Sequence, residues 1–212
     1  MAKLSTDLHR FFFEDDRNAT VSLGEILTLA GERAFGVLFV LVAFPSALPV
    51  PAPGYSIPFG LLIMLLAGQL VVGRDRPWFP ASWLRWTVPL EMTQKVMQTG
   101  LPWLSRLEAL TRPRLSFLCT SPPGRLVVGL TLALMGLSMM IPIPGTNTLP
   151  AMGVFVTGFS FLEDDGAITL GGLTLCLMGF LLSTGILVAI FFLGVEGAQA
   201  AETVKEWIRS LF

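Results

Sequence analysis

The chain has 212 residues, of which 53% are hydrophobic and 14% are charged, with a formal net charge of -1. Soluble domains carry about 25% charged residues, so this composition excludes an ordinary soluble enzyme and indicates an integral membrane protein. The balanced charge also argues against a nucleic-acid partner, because contacts to phosphate backbones need a basic surface.

The N-terminal region predicts a surface-bound segment rather than a cleaved leader. Acidic side chains interrupt the basic residues of positions 1–18, and no long apolar stretch follows directly. Residues 21–33 then place their leucines and isoleucine largely on one helical face, and Ser22 and Glu25 have the spacing of a capping box. We therefore expect an amphipathic helix at the membrane surface.

The next segment reads as a broken hydrophobic hairpin. An apolar stretch at residues 34–48 ends at the sequence PVPAPG, and a second apolar stretch covers residues 58–73. Alternating prolines remove backbone donors and favour a polyproline II shape, so this loop cannot be helical. Neither arm reaches the roughly 20 residues that a spanning helix needs. Residues 21–74 form the first predicted unit.

Residues 75–124 form a connector of basic and aromatic composition. From residue 74 to residue 125 there are eight basic side chains and three acidic ones, interleaved with tryptophans at positions 78, 83, 86 and 103. This composition is typical of an interfacial segment, and the positive-inside rule places it in the cytoplasm. Glu108 and Arg112 have the spacing of a helix-end ion pair, and with Arg114 they are candidate docking residues.

The second half resumes the hairpin pattern. Apolar arms at residues 126–141 and 150–162 flank the sequence PIPG, and an acidic turn follows. Residues 167–195 contain no ionisable group except Cys176, which predicts a transmembrane helix, tilted or kinked because the run exceeds the minimum span. Residues 125–195 form the second predicted unit, and residues 196–212 an amphipathic tail.

The two hairpins share an order of features that indicates an internal repeat. Each has an apolar arm, alternating prolines, a Pro-Gly pair, small polar residues, a proline and a second arm. The loop-shaping residues are Pro49, Pro51, Pro53, Gly54 and Pro58 in the first hairpin and Pro142, Pro144, Gly145 and Pro150 in the second. We predict an all-α membrane protein in one integral domain, residues 1–212, with two helical hairpins in an inverted repeat, a long C-terminal transmembrane helix and interfacial amphipathic helices.

The two loops are the predicted working site. Non-helical backbone survives at membrane depth only when it is buried in protein or lines water, so two re-entrant loops could satisfy each other. Their side chains would supply a shared polar patch, and the helix N-termini beyond it favour an anion or a negative dipole. The alternative is a pair of ordinary surface turns. The candidate binding residues are Tyr55, Ser56, Thr146, Asn147 and Thr148.

Each of the remaining polar residues has two interpretations, one functional and one purely structural. Gln69 is a candidate for substrate contact or for packing between helices, and Arg74 for substrate binding or for snorkelling to headgroups. The adjacent carboxylates Glu163, Asp164 and Asp165 form either a cation or proton site or a solvated acidic turn.

No catalytic motif is present in the sequence. There is no nucleophile elbow, phosphate-binding loop, HExxH sequence or dinucleotide fingerprint, and neither Cys119, Cys176 nor His9 has metal-ligand spacing. We therefore expect no cofactor, no metal and no catalytic residue.

The stretch FPSALPVPAPGYSIPFGLLIMLLAGQLVVGRDRPWFP, followed by LEALTRPRLSF and IPIPGTNTLPAMGVF, resembles the ExoD family of exopolysaccharide synthesis proteins. The resemblance runs over about residues 21–195. It implies a multi-pass protein of the bacterial inner membrane, connected with exopolysaccharide production and with tolerance of alkaline conditions.

Three functions from different classes follow. The first is transport or homeostasis in support of exopolysaccharide production, with the site between the two loops. The second is a non-transporting accessory factor whose connector docks on polysaccharide assembly proteins or on anionic membrane lipid. The third is an enzyme acting on a lipid-linked saccharide, which the absence of an acid-base pair disfavours. The small residues Gly129, Ala133 and Gly136 suggest a homodimer.

Overall fold

The computed structural model of the chain describes residues 9–14, 20–48, 55–91, 94, 98, 114–141 and 146–210. Most of these residues are helical. The helices are α1 (Leu23–Ala30), α2 (Ala34–Ala47), α3 (Ile57–Val71), α4 (Ala81–Leu84), α5 (Phe117–Thr120), α6 (Pro122–Met139), α7 (Thr148–Glu163) and α8 (Gly166–Ser210). A π-helical turn covers Arg10–Glu14, and the 3-10 turn Gly31–Arg33 joins α1 to α2.

A short β-ribbon departs from the predicted all-α fold. Strand β1 (Thr20–Ser22) pairs antiparallel with β2 (Thr87–Pro89), with Val21 opposite Val88. The ribbon attaches the connector to the N-terminal segment. It also explains why α1 begins at Leu23, two residues later than predicted, since Val21 and Ser22 belong to the strand.

The predicted capping box at the start of α1 is confirmed. The Glu25 backbone N–H donates to Ser22 Oγ at 3.2 Å, and the Ser22 backbone N–H donates to Glu25 Oε2 at 2.7 Å. Each side chain satisfies a backbone donor that the first helical turn leaves without a partner.

Within the described residues, three helical stretches are long and apolar enough to cross a membrane, whereas the sequence predicted this length only for residues 167–195. They are Leu23–Ala47, Pro122–Met139 and Gly166–Gly194. The difference arises because α1 extends α2 and because α6 begins at Pro122. Helix α8 leaves its apolar side chains exposed: Phe191, Phe192 and Leu193 are each at least 60% accessible. Lipid can solvate such a surface, whereas water cannot without a large cost. The molecule is a mostly helical membrane protein.

Helix α8 is continuous from Gly166 to Ser210. The predicted amphipathic tail at residues 196–212 therefore extends the transmembrane helix up to Ser210. A Cβ atom on Gly179 would lie 2.8 Å from the Pro150 backbone nitrogen, so this glycine permits the close crossing of α8 and α7.

The two hairpins, α2 with α3 and α6 with α7, pack through glycine crossings. A Cβ atom on Gly36 of α2 would lie 2.8 Å from the carbonyl oxygen of Gly158 on α7. A Cβ atom on Gly60 of α3 would lie 2.6 Å from the carbonyl oxygen of Gly136 on α6. The first arm of each hairpin thus packs on the second arm of the other, and only glycine permits this backbone approach.

The predicted inversion of the repeat is wrong. Along α2, Gly36 approaches Leu162, whereas Phe44 contacts Phe155 at a ring-centroid distance of 6.1 Å, so α2 and α7 are antiparallel. Helices α3 and α6 are antiparallel as well, because Gly60 approaches Gly136 and Gly129 approaches Val71. An inverted repeat would make α2 parallel to α7. Both hairpins instead point the same way, because the end of α2 and the start of α3 lie at the same end of the bundle as the end of α6 and the start of α7.

The small-residue face of α6 is occupied within the chain. Gly129 and Gly136 are buried against α3, where added Cβ atoms would lie 2.8 Å from Val71 Cγ2 and 2.7 Å from the Gly60 carbonyl oxygen. Gly129 and Gly136 are therefore not available for a dimer contact. The homodimer stays a prediction, but it no longer rests on these two residues.

Candidate functional site at the hairpin tips

The two ends of the hairpin pair differ sharply in charge. Residues 34–73 and 126–162 contain no Asp, Glu, Lys, Arg or His, so the loop end of both hairpins is uncharged. The opposite end, which we call the charged face, carries Arg33, Arg74, Arg125 and the acidic turn of residues 163–165. We call residues 46–48, 55–57, 138–141 and 146–148 the hairpin tips.

The depth of the hairpin tips can be read from the residues of α8 that lie beside them. It runs antiparallel to α7, with Gly172 against Thr157, Cys176 against Gly153 and Gly179 against Pro150. A cavity then joins Thr146 at the tips to Ser183. At 1.5 Å per residue, Ser183 lies about 26 Å from the start of α8 and about 20 Å before Glu196. The tips are therefore level with the apolar middle of α8.

Three hydroxyl side chains are buried at the tips. Ser46, Ser56 and Thr146 are 2%, 6% and 2% exposed. Within the described residues, Ser46 Oγ has no hydrogen-bond partner. Burying a hydroxyl without a partner costs about 1–3 kcal/mol, so such an atom points to a water or ligand beside it.

A small cavity of about 140 Å³ lies between the tips and α8. Its polar lining consists of Ser138, Thr146, Ser183 and Thr184, and its walls are otherwise apolar. Ser183 Oγ is buried and has no partner among the described residues. The volume suffices for a few water molecules, each of which occupies about 30 Å³ in the liquid.

Five predicted binding residues lie at the tips or beside them. Thr146 Oγ1 donates to Asn147 Oδ1 at 3.3 Å, and Asn147 Nδ2 donates to the Met139 carbonyl at 3.3 Å, which ties α7 to the end of α6. Tyr55 packs edge-on against Phe59 with centroids 5.3 Å apart. Ser56 and Thr148 stand at the starts of α3 and α7, where Pro58 and Pro150 occupy first-turn positions.

The remaining loop-shaping residues lie outside the described part of the chain. These are Pro49, Pro51, Pro53, Gly54, Pro142, Pro144 and Gly145.

Gln69 and Arg74 lie at the opposite end, near the charged face. The Trp78 backbone N–H donates to Gln69 Oε1 at 2.6 Å, and Gln69 Nε2 donates back to the Trp78 carbonyl at 3.2 Å. The Arg74 carbonyl accepts from Arg125 Nη2 at 2.5 Å, while Arg125 Nη1 contacts Asp75 Oδ1 at 2.7 Å. These contacts join α3 to the connector through the Gln69 side chain and to α6 through the Arg74 backbone, whereas the Arg74 side chain is exposed.

The acidic turn also has a structural role. Asp165 is 4% exposed, and its Oδ1 accepts the Ala167 backbone N–H at 3.0 Å at the first turn of α8. Asp164 adopts the left-handed conformation with φ 50°, which ends α7. Burial raises the pKa of the Asp164 carboxyl, against the guanidinium of Arg33, and the charge of Glu32 raises it further.

The predicted docking residues are only partly described. Arg114 is exposed, and its carbonyl accepts the Gly166 backbone N–H at 2.6 Å. Glu108 and Arg112 lie outside the described residues.

Sequence reasoning missed four polar residues of the site, namely Ser46, Ser138, Ser183 and Thr184. Each is a small hydroxyl in a long apolar run, outside the proline-rich loops that the repeat pattern marks. One signal was available: Ser46 follows Pro45 inside α2, where the proline removes a helical hydrogen bond.

Comparisons with known proteins agree with the resemblance found in the sequence. The family model described as "Exopolysaccharide synthesis, ExoD" matches residues 4–185. An uncharacterized protein of Synechocystis sp. is 46% identical over 212 residues, covering 100% of this chain and 99% of that protein. Protein ExoD of Rhizobium meliloti is 31% identical over 159 residues, covering 74% of this chain and 66% of that protein. No solved structure matches the chain. With most of its length matched by the family model, the chain belongs to the ExoD family.

Proposed function

We propose that this protein lies in the bacterial inner membrane and supports exopolysaccharide production by passing a small polar solute across the bilayer, at a site between two re-entrant hairpin tips. The family supplies the link to exopolysaccharide. The transport role is supported chiefly by two buried hydroxyls that have no partner among the described residues, Ser46 at the tips and Ser183 of α8 in the adjacent cavity.

The length of α8 supports re-entrance. Its apolar run covers about 45 Å, whereas a hydrocarbon core is about 30 Å thick. If the start of α8 lies at one boundary of the hydrocarbon core, the tips lie about 4 Å inside the opposite boundary. If Glu196 instead lies at that opposite boundary, the tips lie about 20 Å inside it. In each placement the uncharged tips end within the core rather than in water.

The polar groups at the tips support a site for a solute. Hydrocarbon offers no partner for Ser46 Oγ or Ser183 Oγ, so these atoms are satisfied by water or by a bound molecule. Helices α3 and α7 both begin here, and neither Ser56 nor Asn147 caps its helix with a side-chain bond. The partial positive charge of these helix ends favours a group with negative charge or dipole.

Substitutions at the tips test this proposal. In a strain that depends on the protein, we expect Ser46→Ala and Asn147→Ala each to lower exopolysaccharide yield by about tenfold, because each removes a polar group from the proposed site. Thr174→Ala is the matched control, because this exposed threonine bonds only to its own helix at the Leu170 carbonyl. Full yield from both tip variants, at normal protein level, would refute a site at the tips.

An accessory role is the second candidate, and the exposed aromatic surface of the connector favours it. Trp78, Trp83 and Trp86 are 60%, 49% and 68% exposed beside the exposed guanidinium of Arg85. Tryptophan and arginine are enriched where proteins contact partners or headgroups. In this case Arg114→Glu would abolish exopolysaccharide production, whereas the tip variants would keep it.

A further inference from the structure

A groove separate from the hairpin tips lies at the charged face, under the amphipathic helix α1. Its volume is about 790 Å³, within the range of ligand sites. The wall is fixed by two contacts: Leu23 donates its backbone N–H to the Trp86 carbonyl at 3.0 Å, and a Cβ atom on Gly24 would lie 3.2 Å from the Leu84 carbonyl oxygen. The groove is therefore built by α1 and the connector together.

The lining combines an apolar wall with one guanidinium. Phe11, Leu27, Leu29, Ala34 and Leu84 supply most of the apolar surface. Arg76 lines the same groove, is exposed, and makes no ion pair with any described residue. Glu25 also lines the groove, but its carboxylate accepts the backbone N–H and the hydroxyl of Ser22.

The position of the groove at the charged face indicates which class of molecule could bind there. Arg76 follows the end of α3 at Val71 by five residues, and the exposed Trp78 and Trp86 belong to the same connector. Tryptophan and arginine prefer the headgroup region of a bilayer. At this level the available molecule with both a long apolar part and a phosphate is a membrane phospholipid.

We propose that the groove binds one phospholipid, whose phosphodiester contacts the Arg76 guanidinium and whose acyl chain lies along Leu27, Leu29 and Leu84. The guanidinium offers charge-assisted hydrogen bonds to phosphate oxygens. This site is independent of the transport proposed for the tips.

Native mass spectrometry of the purified full-length protein in mild detergent tests this site, with a saturated phosphatidylglycerol as the probe. We expect one retained lipid per chain, an affinity about tenfold lower in Arg76→Gln, and a similar loss in Thr28→Trp, where indole fills the groove without removing charge. Arg85→Gln is the control, since this arginine is exposed and lies outside the groove; it should bind as the wild type does.

Several results would overturn the proposal. An equal loss in Arg76→Gln and Arg85→Gln would indicate general attraction to the basic surface rather than a built site. Displacement by millimolar inorganic phosphate would assign the site to a free anion, and equal retention of diacylglycerol would remove the phosphate contact. If Arg76→Gln does not fold, Thr28→Trp decides alone: unchanged binding by the folded variant rejects the groove.

Discussion

Gln69 illustrates how the surroundings of a polar side chain determine its role. An amide within an apolar helix is typical of either a substrate contact or a contact between helices. Here both ends of the amide bond to the backbone of Trp78, nine residues further along the chain. The side chain thereby fixes the path of the connector as it leaves α3.

We expect Gln69→Leu to lower stability without removing function. Two hydrogen bonds are lost at a partly exposed site, which costs about 1 kcal/mol and lowers the melting temperature by about 2–4 °C. Thermal melting in detergent and exopolysaccharide yield would be measured together, with Leu65→Ala as a control on the lipid-facing side of the same helix. Loss of yield at unchanged stability would restore Gln69 as a substrate contact.

Asp164 contributes to stability in a pH-dependent way. Its pKa is raised in the folded protein, chiefly by burial, so the folded state favours the neutral carboxyl. The stability from this residue is fully present below the unfolded pKa of about 4 and is lost as pH rises through the folded pKa.

Asp164→Asn should therefore stabilise the protein at neutral pH. Asparagine avoids the ionised carboxyl and tolerates the left-handed conformation at φ 50°. We expect the melting temperature to rise by about 1–2 °C at pH 7, and the difference to vanish near pH 4. A lower melting temperature at pH 7 would mean that the attraction of the carboxylate to Arg33 outweighs the cost of burial.

At the level of the helices, close contacts at glycine residues hold the two hairpins together. Gly36 with Gly158, and Gly60 with Gly136, bring helix backbones close enough that a single methyl group cannot be inserted. Because the hydrophobic effect does not drive helices together in lipid, this close packing supplies much of the attraction between them.

Alanine substitution at one crossing measures its contribution. In Gly60→Ala the new methyl would lie 2.6 Å from the Gly136 carbonyl oxygen, so α3 and α6 must separate, at about 1–3 kcal/mol. Gly68→Ala on the same helix has nothing within 4 Å of its Cβ and should be neutral or slightly stabilising. Denaturation of both variants in detergent gives the comparison, and equal stability would exclude a tight crossing.

For the whole molecule, the parallel direction of the hairpins determines the topology. If the hairpins are re-entrant, as proposed, the segments around Arg33, Arg74, Arg125 and Asp164 share one side of the membrane. Among the described helices, α8 alone continues past the tips, for about 20 Å, and in this proposed topology it would carry Glu196 to the other side.

Single-cysteine labelling tests this topology in a background with Cys119 and Cys176 replaced. With an impermeant thiol reagent, we expect cysteines at Arg74 and Asp164 to label only from the cytoplasmic side, in inverted vesicles, and one at Glu196 only on intact cells. Cysteines at Ser56 and Asn147 should resist the reagent from both sides. Rapid labelling of either tip from one side would contradict re-entrance and favour the accessory role.

The sequence alone determined the class of protein, the approximate ends of the hairpin arms and the family. These depend on local properties: apolar length, the capping box of Ser22 and Glu25, and the prolines that interrupt each hairpin. The arms of the hairpins were predicted to within a few residues, because the loss of backbone donors and of apolar side chains acts at the position where it occurs.

The tertiary structure alone decided how the hairpins are oriented and which polar residues meet. Inverted and parallel repeats have the same hydropathy pattern, so only the antiparallel contact of α2 with α7 distinguishes them. The packing of the helices also places Gln69 and the acidic turn away from the hairpin tips. It adds Ser46 and Ser183 to the candidate site. A short hydroxyl side chain has no periodic signature, and its role depends on what the opposite helix places beside it.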